Sequence, residues 1–377
     1  MDLITSLMVE IESESSLISL LNSSNSITNV AFQGINLLRF TDQFLLKNIT
    51  DCLFVGCVLG EKLSLFLMKE NFIFPSLKLP YNTHPVKLYS YKDLYFGFDH
   101  SAPKSYLDTL DSIVYQHYKQ NGKDELTLRE SIGRRMHDHG ITNALSNYLS
   151  KKDPMRIVAI MGGHSIGRDD ESYRKVATIA AALHKKGFLM ISGGGPGAME
   201  ATHLGVWLSD RKNIEWDQAF GILAEAPSYK DDLWLSKAFE VMEKFPSDSK
   251  NESLGIPTWL YGHEPPTPFA THIAKYFANS VREDGLLAIA KGGIVFSPGS
   301  AGTIQEIFQD ATQNHYLTEE VASPMVFLGK EFWENKYPIY PLLEKLTSEG
   351  KYKNLELNIT DQESVVVKLM EDFQNSL

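Results

Sequence analysis

The chain has 377 residues, 43% of them hydrophobic and 22% charged, and its formal net charge at pH 7 is −11. This length and apolar content are typical of a globular protein with room for two domains. The negative charge argues against nucleic acid as a partner, and no long uncharged apolar run indicates a membrane span. Local groups must therefore bind any phosphate that the protein recognises.

The amino-terminal sequence and the cysteines bear on the cellular compartment. The stretch MDLITSLMVEIESESS carries acidic residues where a signal peptide would carry Lys or Arg. The only cysteines, Cys52 and Cys57, are five residues apart, and on a strand their thiols would face opposite ways. We therefore expect a cytoplasmic protein with reduced thiols and no metal or redox site at this pair.

Residues 1–98 differ in texture from the rest of the chain. Their apolar segments are short and are broken by Asn, Gly, Asp and Pro, which predicts short strands: NVAFQGINLLRF, DCLFVGCVLG and PVKLYSYKDLYFGF. The segments FQGINL and FVGCVL have a spacing similar to that of a pentapeptide-like β-coil, but two copies are too few to define a repeat. This part contains no catalytic constellation, so we predict a smaller β-rich accessory or oligomerisation domain.

Residues 99–150 are predicted to form a helical connector. A helix beginning near Ser105 would place five apolar residues on one face, namely Leu107, Leu110, Ile113, Val114 and Tyr118. A second helix, from about Leu126 to Leu149, contains the polar segment RRMHDHG. That segment either forms a solvated helix face or contributes to a substrate pocket, and its two histidines diverge too far on a helix to share a metal.

Residues 151–377 alternate strand and helix patterns, which predicts an α/β domain with a Rossmann-like parallel sheet and helices on both faces. The predicted strands are MRIVAIMGG, FLMISGGG, AFGILAEA, GGIVFSPG and PMVFLG. The predicted helices are Glu171–Lys186, Ala198–Ser209, Phe269–Arg282 and Thr303–Tyr316. Because right-handed crossovers bring the loops after parallel strands to one edge of the sheet, we expect a ligand to bind there.

Three glycine-rich loops follow these strands, and their backbones together with a helix dipole suit a phosphate group. The first loop offers Gly162, Gly163 and Ser165. The second contains Gly193, Gly194, Gly195 and Met199. The third contains Pro298, Gly299, Ser300, Gly302 and Thr303. The second loop also fits a dinucleotide fingerprint, but the nearest acidic residue, Asp210, lies beyond the helix and not at a strand end.

Glu306 is an unexpected carboxylate in a loop that suits an anion. Thr303 and Glu306 have the spacing of a capping box, which is the purely structural alternative. The segment from Pro298 to Glu306 resembles the Pro-Gly-Gly-x-Gly-Thr-x-x-Glu signature of the LOG family of nucleoside 5′-monophosphate phosphoribohydrolases, with Ser300 in place of the second glycine. The second loop is similar to that family's Gly-Gly-Gly-x-x-Gly-x-Met element, and Arg282 matches the arginine of its Met-x-x-Arg-Lys element.

The resemblance covers residues 156 to about 330 and implies hydrolysis of the N-glycosidic bond of a nucleoside 5′-monophosphate, without a metal or cofactor. It implies that Glu306 stabilises an oxocarbenium-like transition state and orients water, while Arg282 positions the sugar or phosphate and holds Glu306 ionised. The proton donor to the leaving base is left open among Asp138, His139 and His164. A nucleotide sensor or carrier without catalytic activity is the alternative on the same fold.

The resemblance also implies a homodimer, or a dimer of dimers, in which the helix bearing Arg282 lies near a two-fold axis. The helix predicted over Phe269–Arg282 and its flank carries an apolar stripe formed by Phe269, Ile273, Tyr276, Phe277 and Val281. That stripe either covers the sheet of a monomer or packs against a partner chain, and its aromatic residues favour the second. We therefore predict a homodimer with two-fold symmetry.

Overall fold

The computed structural model of the protein describes residues 8–123 and 127–376, which form two compact units. One unit combines the residues up to Leu88 with Asn121–Leu145. The other combines Tyr89–Gln120 with the residues from Ser146 onward. Each unit contains a parallel sheet of its own.

The first unit contains a series of successive coils, each formed by short strands and a helix. Its strands are β1 Val9–Ile11, β2 Ser26–Thr28, β3 Val30–Gln33, β4 Asn48–Thr50, β5 Leu53–Val55 and β6 Phe72–Phe74. Its helices in this stretch are α1 Glu14–Ser23, α2 Thr41–Leu45 and α3 Glu61–Leu67. The strands pair in parallel in the orders β1-β3-β5-β6 and β2-β4. Ala31 is in register with Leu53 and Ile27 with Ile49, 22 residues apart, whereas β1 and β3 are offset by 21 residues and β5 and β6 by 19, so the strand–helix pattern is a repeat of slightly varying length.

The interior shared by these coils is aromatic and tightly packed. Phe32 and Phe54, at equivalent positions of β3 and β5, stack with ring centroids 4.7 Å apart. Cys52 and Cys57 both face this interior as free thiols, contrary to the expectation that they point opposite ways. The reason is that Gly56 turns the chain with a φ of 62°, so the strand ends before Cys57 and its two-residue alternation does not extend across the pair.

Three helices lie between the two sheets in sequence: α4 Tyr91–Leu94, α5 Leu110–Asn121 and α6 Leu128–Leu149. The RRMHDHG segment of α6 forms neither a solvated face nor a pocket wall, because most of its polar side chains are buried in contacts within the first unit. Arg134 donates from Nε to Glu130 Oε1 at 2.7 Å, and the ring of His137 bonds to Asp138 Oδ1 at 2.9 Å. Burial lowers the pKa of His137, so its imidazole is neutral at pH 7.

The second unit contains a seven-stranded sheet in which all strands are parallel. Its strands are β7 Ile157–Met161, β8 Leu189–Ser192, β9 Ser253–Gly255, β10 His272–Ile273, β11 Ile294–Phe296, β12 Pro324–Leu328 and β13 Glu356–Thr360. Their spatial order is β10-β9-β8-β7-β11-β12-β13. The chain therefore builds outward from β7 in one direction and then from β11 in the other, which makes the gap between these strands a topological switch point.

Helices follow most of these strands. They are α7 Glu171–Lys185, α8 Ala198–Trp207, α9 Asn213–Leu223, α10 Trp234–Lys244, α11 Asn279–Ala288, α12 Ala301–Tyr316, α13 Ile339–Ser348 and α14 Glu363–Ser376. No helix among residues 8–123 and 127–376 is long and apolar enough to cross a bilayer.

Side chains on both faces of the sheet are covered. Val295 and Val326 pack into a core shared with α7, α8 and α14. Phe327, the next residue along β12, instead contacts the rings of Trp333 and Tyr340. Because successive residues of a strand point to opposite faces, these contacts place covering segments on both sides of the sheet. The predicted Rossmann-like α/β fold is confirmed.

Two predicted elements are wrong. The segment AFGILAEA, predicted as a strand, lies mostly in α9, because a short buried apolar run fits a buried helix as well as a strand. The segment Phe269–Arg282, predicted as a helix, contains β10 and a loop, and α11 begins only at Asn279. Phe269, Ile273, Tyr276 and Phe277 are buried, whereas Val281 is exposed, so the supposed stripe does not form one helix face and gives no argument for a dimer.

Candidate functional site

A cleft with a volume of about 300 Å³ opens at the carboxyl ends of β7, β8 and β11. It therefore lies at the switch point, where ligands of open α/β sheets bind. Ten of the predicted site residues line it: Gly162, Gly163, Gly193, Gly195, Met199, Arg282, Ser300, Gly302, Thr303 and Glu306. The structure thus brings the three glycine-rich loops and the two charged residues to one place.

The other four predicted site residues shape the loops from behind. Ser165 lines a small neighbouring cavity. Gly194 has a φ of 70°, and a Cβ there would lie 2.9 Å from Pro257 Cδ. The Pro298 carbonyl accepts a bond of 2.9 Å from the Gly163 N–H, which occupies that donor. A Cβ at Gly299 would lie 2.1 Å from Thr303 Oγ1, so this glycine is needed for packing.

The third loop ends at the N-cap of α12. Ser300 is the N-cap residue, with φ −116° and ψ −146°, a conformation that places no demand for glycine. The serine that departs from the LOG pattern is therefore accommodated without strain. Thr303 lies within the first turn and Glu306 in the second, so the capping-box alternative for this pair is wrong.

Arg282 and Glu306 form an ion pair among the residues that line the cleft. Arg282 Nη1 lies 3.8 Å from Glu306 Oε1, and the two side chains are 9% and 14% exposed. Arg282 Nε donates to the Ile256 carbonyl at 2.8 Å, which fixes the guanidinium from behind. A Cβ on Gly193 would lie 2.1 Å from Arg282 Nη2, so the absence of a side chain at Gly193 makes room for the arginine.

Burial raises the pKa of Glu306 to about 7. The positive charge of Arg282 opposes this rise, and the negative charge of Glu283 adds to it. Arg282 therefore favours the ionised form of Glu306, but desolvation outweighs this attraction, so Arg282 alone does not keep Glu306 fully ionised near pH 7. A carboxyl group that changes its charge near neutral pH in a cleft is suited to general acid or base chemistry.

A buried chain of polar side chains, which no sequence pattern indicated, supports the second loop. Ser192 Oγ lies 2.8 Å from His203 Nε2, and His203 Nδ1 lies 2.9 Å from Ser253 Oγ. Ser192 Oγ also accepts the N–H of Gly194 at 3.1 Å. Burial lowers the pKa of His203 to about 3, so the ring is neutral and links β8, α8 and β9 by hydrogen bonds alone.

A buried ion pair beside the cleft joins the first loop to α8. Arg168 donates from Nε and Nη2 to the two oxygens of Glu200 at 2.8 and 2.7 Å, in the bidentate geometry that arginine favours. Tyr173 donates its hydroxyl to Glu200 Oε2 at 2.8 Å, and Arg168 Nη1 donates to the Trp234 carbonyl. These groups satisfy one another, so we assign them to loop support.

The loop between β9 and β10 supplies cleft residues that the sequence did not indicate, among them Thr258, Tyr261 and Glu264. Contacts distant in sequence hold this loop: Trp259 stacks on Phe277 with centroids 4.6 Å apart. Beneath it, Lys275 forms a fully buried ion pair with Asp111. Because the anchoring depends on the folded chain, periodicity and spacing carry no signal for it.

Comparison with protein-family models and with curated protein sequences found no match. Among solved structures, the chain is similar to the molybdenum cofactor binding protein from the phototrophic bacterium Rippkaea orientalis, with a TM-score of 0.36 and 12% identity over 59% of this chain and 99% of that one. It is similar to the molybdenum cofactor carrier protein MCP from Chlamydomonas reinhardtii, with a TM-score of 0.35 and 12% identity over 58% of this chain and 98% of that one. These likenesses identify no ligand.

Proposed function

We propose that the protein hydrolyses the N-glycosidic bond of nucleoside 5′-monophosphates and releases the free base and ribose 5-phosphate. The observation that carries the proposal is the Arg282–Glu306 pair, which lies in one cleft with the three glycine-rich loops. The resemblance of these same residues to the LOG signature supports it. The cleft volume of about 300 Å³ lies at the lower end of the range for small-molecule sites.

The first turn of α12 is suited to the 5′-phosphate. The first N–H groups of an α-helix have no partner within the helix, and the dipole there favours an anion. Ser300, Gly302 and Thr303 of this turn line the cleft. A phosphate bound here would fix the ribose, so that binding energy far from the reacting atoms contributes to orientation.

The sugar then reacts beside Glu306. As the bond between C1′ and the base breaks, its electron pair leaves with the base and positive charge develops on the ribose. The ionised form of Glu306 stabilises that charge and accepts a proton from the attacking water, while Arg282 orients the carboxylate and the sugar hydroxyls. Water adds to C1′, so the products are the base and ribose 5-phosphate.

A nucleotide sensor or carrier is the second candidate, and the pKa of Glu306 favours keeping it. With a pKa of about 7, the carboxyl group is neutral in a large fraction of molecules at neutral pH. It therefore opposes an anionic ligand less than an ordinary glutamate would, and the presence of a carboxylate alone does not exclude a pure binding protein.

Chromatography of the purified protein with a panel of nucleoside monophosphates, nucleosides and dinucleotides separates the two functions. Hydrolysis predicts that base and ribose 5-phosphate appear from a monophosphate. The Glu306→Ala variant should lose turnover yet bind the monophosphate at least as tightly, because Glu306 meets charge mainly in the transition state. Calorimetric binding without product from the wild type would support the carrier instead.

We also propose that the protein acts in the cytoplasm as a homodimer or dimer of dimers, with neither nucleic acid nor a membrane as its partner. The buried free thiols of Cys52 and Cys57 support a reducing compartment. The net charge of −11 supports a small-molecule partner over a polyanion. The dimer rests on the resemblance alone.

A further inference from the structure

Besides Glu306 and Glu283, the cleft is lined by a third carboxylate, whose partners differ in kind from those of Glu306. Glu264 lines the cleft from the loop between β9 and β10, and its side chain is 14% exposed. Its Oε1 atom lies 3.7 Å from His164 Nδ1 and 3.7 Å from His263 Nε2. An arginine never releases its proton in a protein, whereas an imidazole exchanges one near neutral pH. The partners of Glu264 and Glu306 therefore suit different chemistry.

His164 is the member of this cluster that reaches the ligand space. It lines the cleft, whereas His263 is not among the residues that line it. One ring nitrogen, Nδ1, faces Glu264, and the ring of Tyr229 packs edge-on against the imidazole with centroids 5.8 Å apart. At 3.7 Å the carboxylate attracts the ring without a direct hydrogen bond and occupies its Nδ1 side, which leaves the other nitrogen to contact a ligand.

We propose that His164 protonates the leaving base and that Glu264 is its positioning residue, an inference that rests on the proposed hydrolysis. When the C1′–N bond breaks, its electron pair passes to the base and His164 transfers a proton to a base nitrogen. The water oxygen bonds to C1′, and the proton of the water passes to Glu306. Exchange with solvent then restores both groups. The substrate class follows: nucleotides with a neutral base, which leaves readily only when it is protonated.

Substrates that need no proton provide the test. N7-methylguanosine 5′-monophosphate and nicotinamide mononucleotide carry a positive charge on the base, which therefore leaves as a neutral molecule. The His164→Gln variant should lose about 100-fold in kcat/KM on the best neutral-base monophosphate, the lower end of general-acid effects. On the cationic nucleotides it should stay within about threefold of the wild type, since the other contacts are retained. Glu264→Gln should lose less kcat/KM than His164→Gln on the neutral-base monophosphate, and it should also stay close to the wild type on the cationic nucleotides.

Two matched controls are available in the chain. His263 lies at the same distance from the same oxygen as His164 but is not among the residues that line the cleft. His263→Gln should therefore keep wild-type rates on both kinds of substrate. His100 and Glu243 form a carboxylate–imidazole pair on the surface, 3.0 Å apart, and Glu243→Gln should also leave the rates unchanged. Equal losses on neutral and cationic bases, no loss on either, or a loss in His263→Gln as large as in His164→Gln would overturn the proposal.

Binding separates failure of this proposal from failure of the proposed function. A wild type that cleaves no nucleotide refutes hydrolysis, and the base-side contact is then measured by calorimetry. His164→Gln should bind adenosine 5′-monophosphate about tenfold more weakly, the equivalent of one lost hydrogen bond to a charged group, with unchanged affinity for ribose 5-phosphate. An unchanged affinity for both ligands, or an equal loss for both, would show that His164 does not contact the base.

Discussion

Replacement of Glu306 by glutamine should stabilise the protein in a pH-dependent way while it abolishes hydrolysis. Burial raises the pKa of this carboxyl group from its ordinary value of 4.5 to about 7. As the pH rises, the unfolded chain therefore loses this proton first, and the free energy of unfolding falls between pH 4.5 and pH 7. Glutamine resembles the protonated side chain and does not titrate, so the variant avoids this loss.

The magnitude follows from the two pKa values. Between 4.5 and about 7, at about 1.36 kcal/mol for each pH unit, the ionised carboxylate lowers the free energy of unfolding by about 3 kcal/mol above pH 7. At pH 5 the same relation lowers the free energy of unfolding by only about 1 kcal/mol. Urea unfolding of wild type and Glu306→Gln at pH 5 and pH 8 measures both differences. A variant that gains no more at pH 8 than at pH 5 would refute the reasoning.

Asp310 provides the matched control, one turn further along α12. Burial raises its pKa to about 8, and its Oδ2 atom has no hydrogen-bond partner among the described residues. Asp310 is not among the residues that line the cleft. Asp310→Asn should therefore also stabilise the protein at neutral and alkaline pH, yet retain full hydrolysis. If both variants gain stability and only Glu306→Gln loses turnover, the loss reflects chemistry and not a change in the fold.

Four other outcomes are expected. The kcat/KM of the wild type should rise with pH to about 7 as Glu306 ionises, and a flat profile from pH 5 to 9 would contradict its role as the base. A nucleoside without the 5′-phosphate should be hydrolysed at least about 100-fold less efficiently than its monophosphate, and equal rates would contradict phosphate binding. Gly193→Ala should lower turnover about 100-fold because its Cβ displaces Arg282, whereas Gly221→Ala, which meets nothing within 4 Å, serves as the control. Light scattering should give a dimer mass at micromolar concentration, and a fully active monomer would exclude the dimer.

The parts of the fold that the sequence predicts are those with strong local signals. Glycine occurs within three residues after each of the apolar runs of β7, β8, β11 and β12, and the structure places strands in all four. The edge strand β10 and its neighbour β9 are short, and they are defined by their pairing within the sheet. Ser253–Gly255 and His272–Ile273 carry no run of β-branched residues, so the sequence shows no strand pattern at these positions.

The candidate site likewise contains residues that the sequence predicts and residues that it does not. Arg282 and Glu306 could be predicted because they belong to ordered motifs after successive strands, and the topology brings strand ends together. Glu264 could not, since its loop is held by the Lys275–Asp111 pair and other contacts between distant segments. The pKa of Glu306 also lay beyond the sequence, because it depends on how much water the folded cleft excludes.

The offset of 22 residues in the first unit has a consequence for how that unit can vary. The strands of each coil pair with the equivalent strands of the neighbouring coils, so contacts between neighbours contribute to the stability of the unit. Removal of one whole coil, such as residues 26–47, would bring β4 and β5 into the places of β2 and β3, with Phe54 in the place of Phe32. A deletion of half that length would instead turn core side chains toward water. Insertions and deletions in this unit should therefore be tolerated best when they add or remove a complete coil.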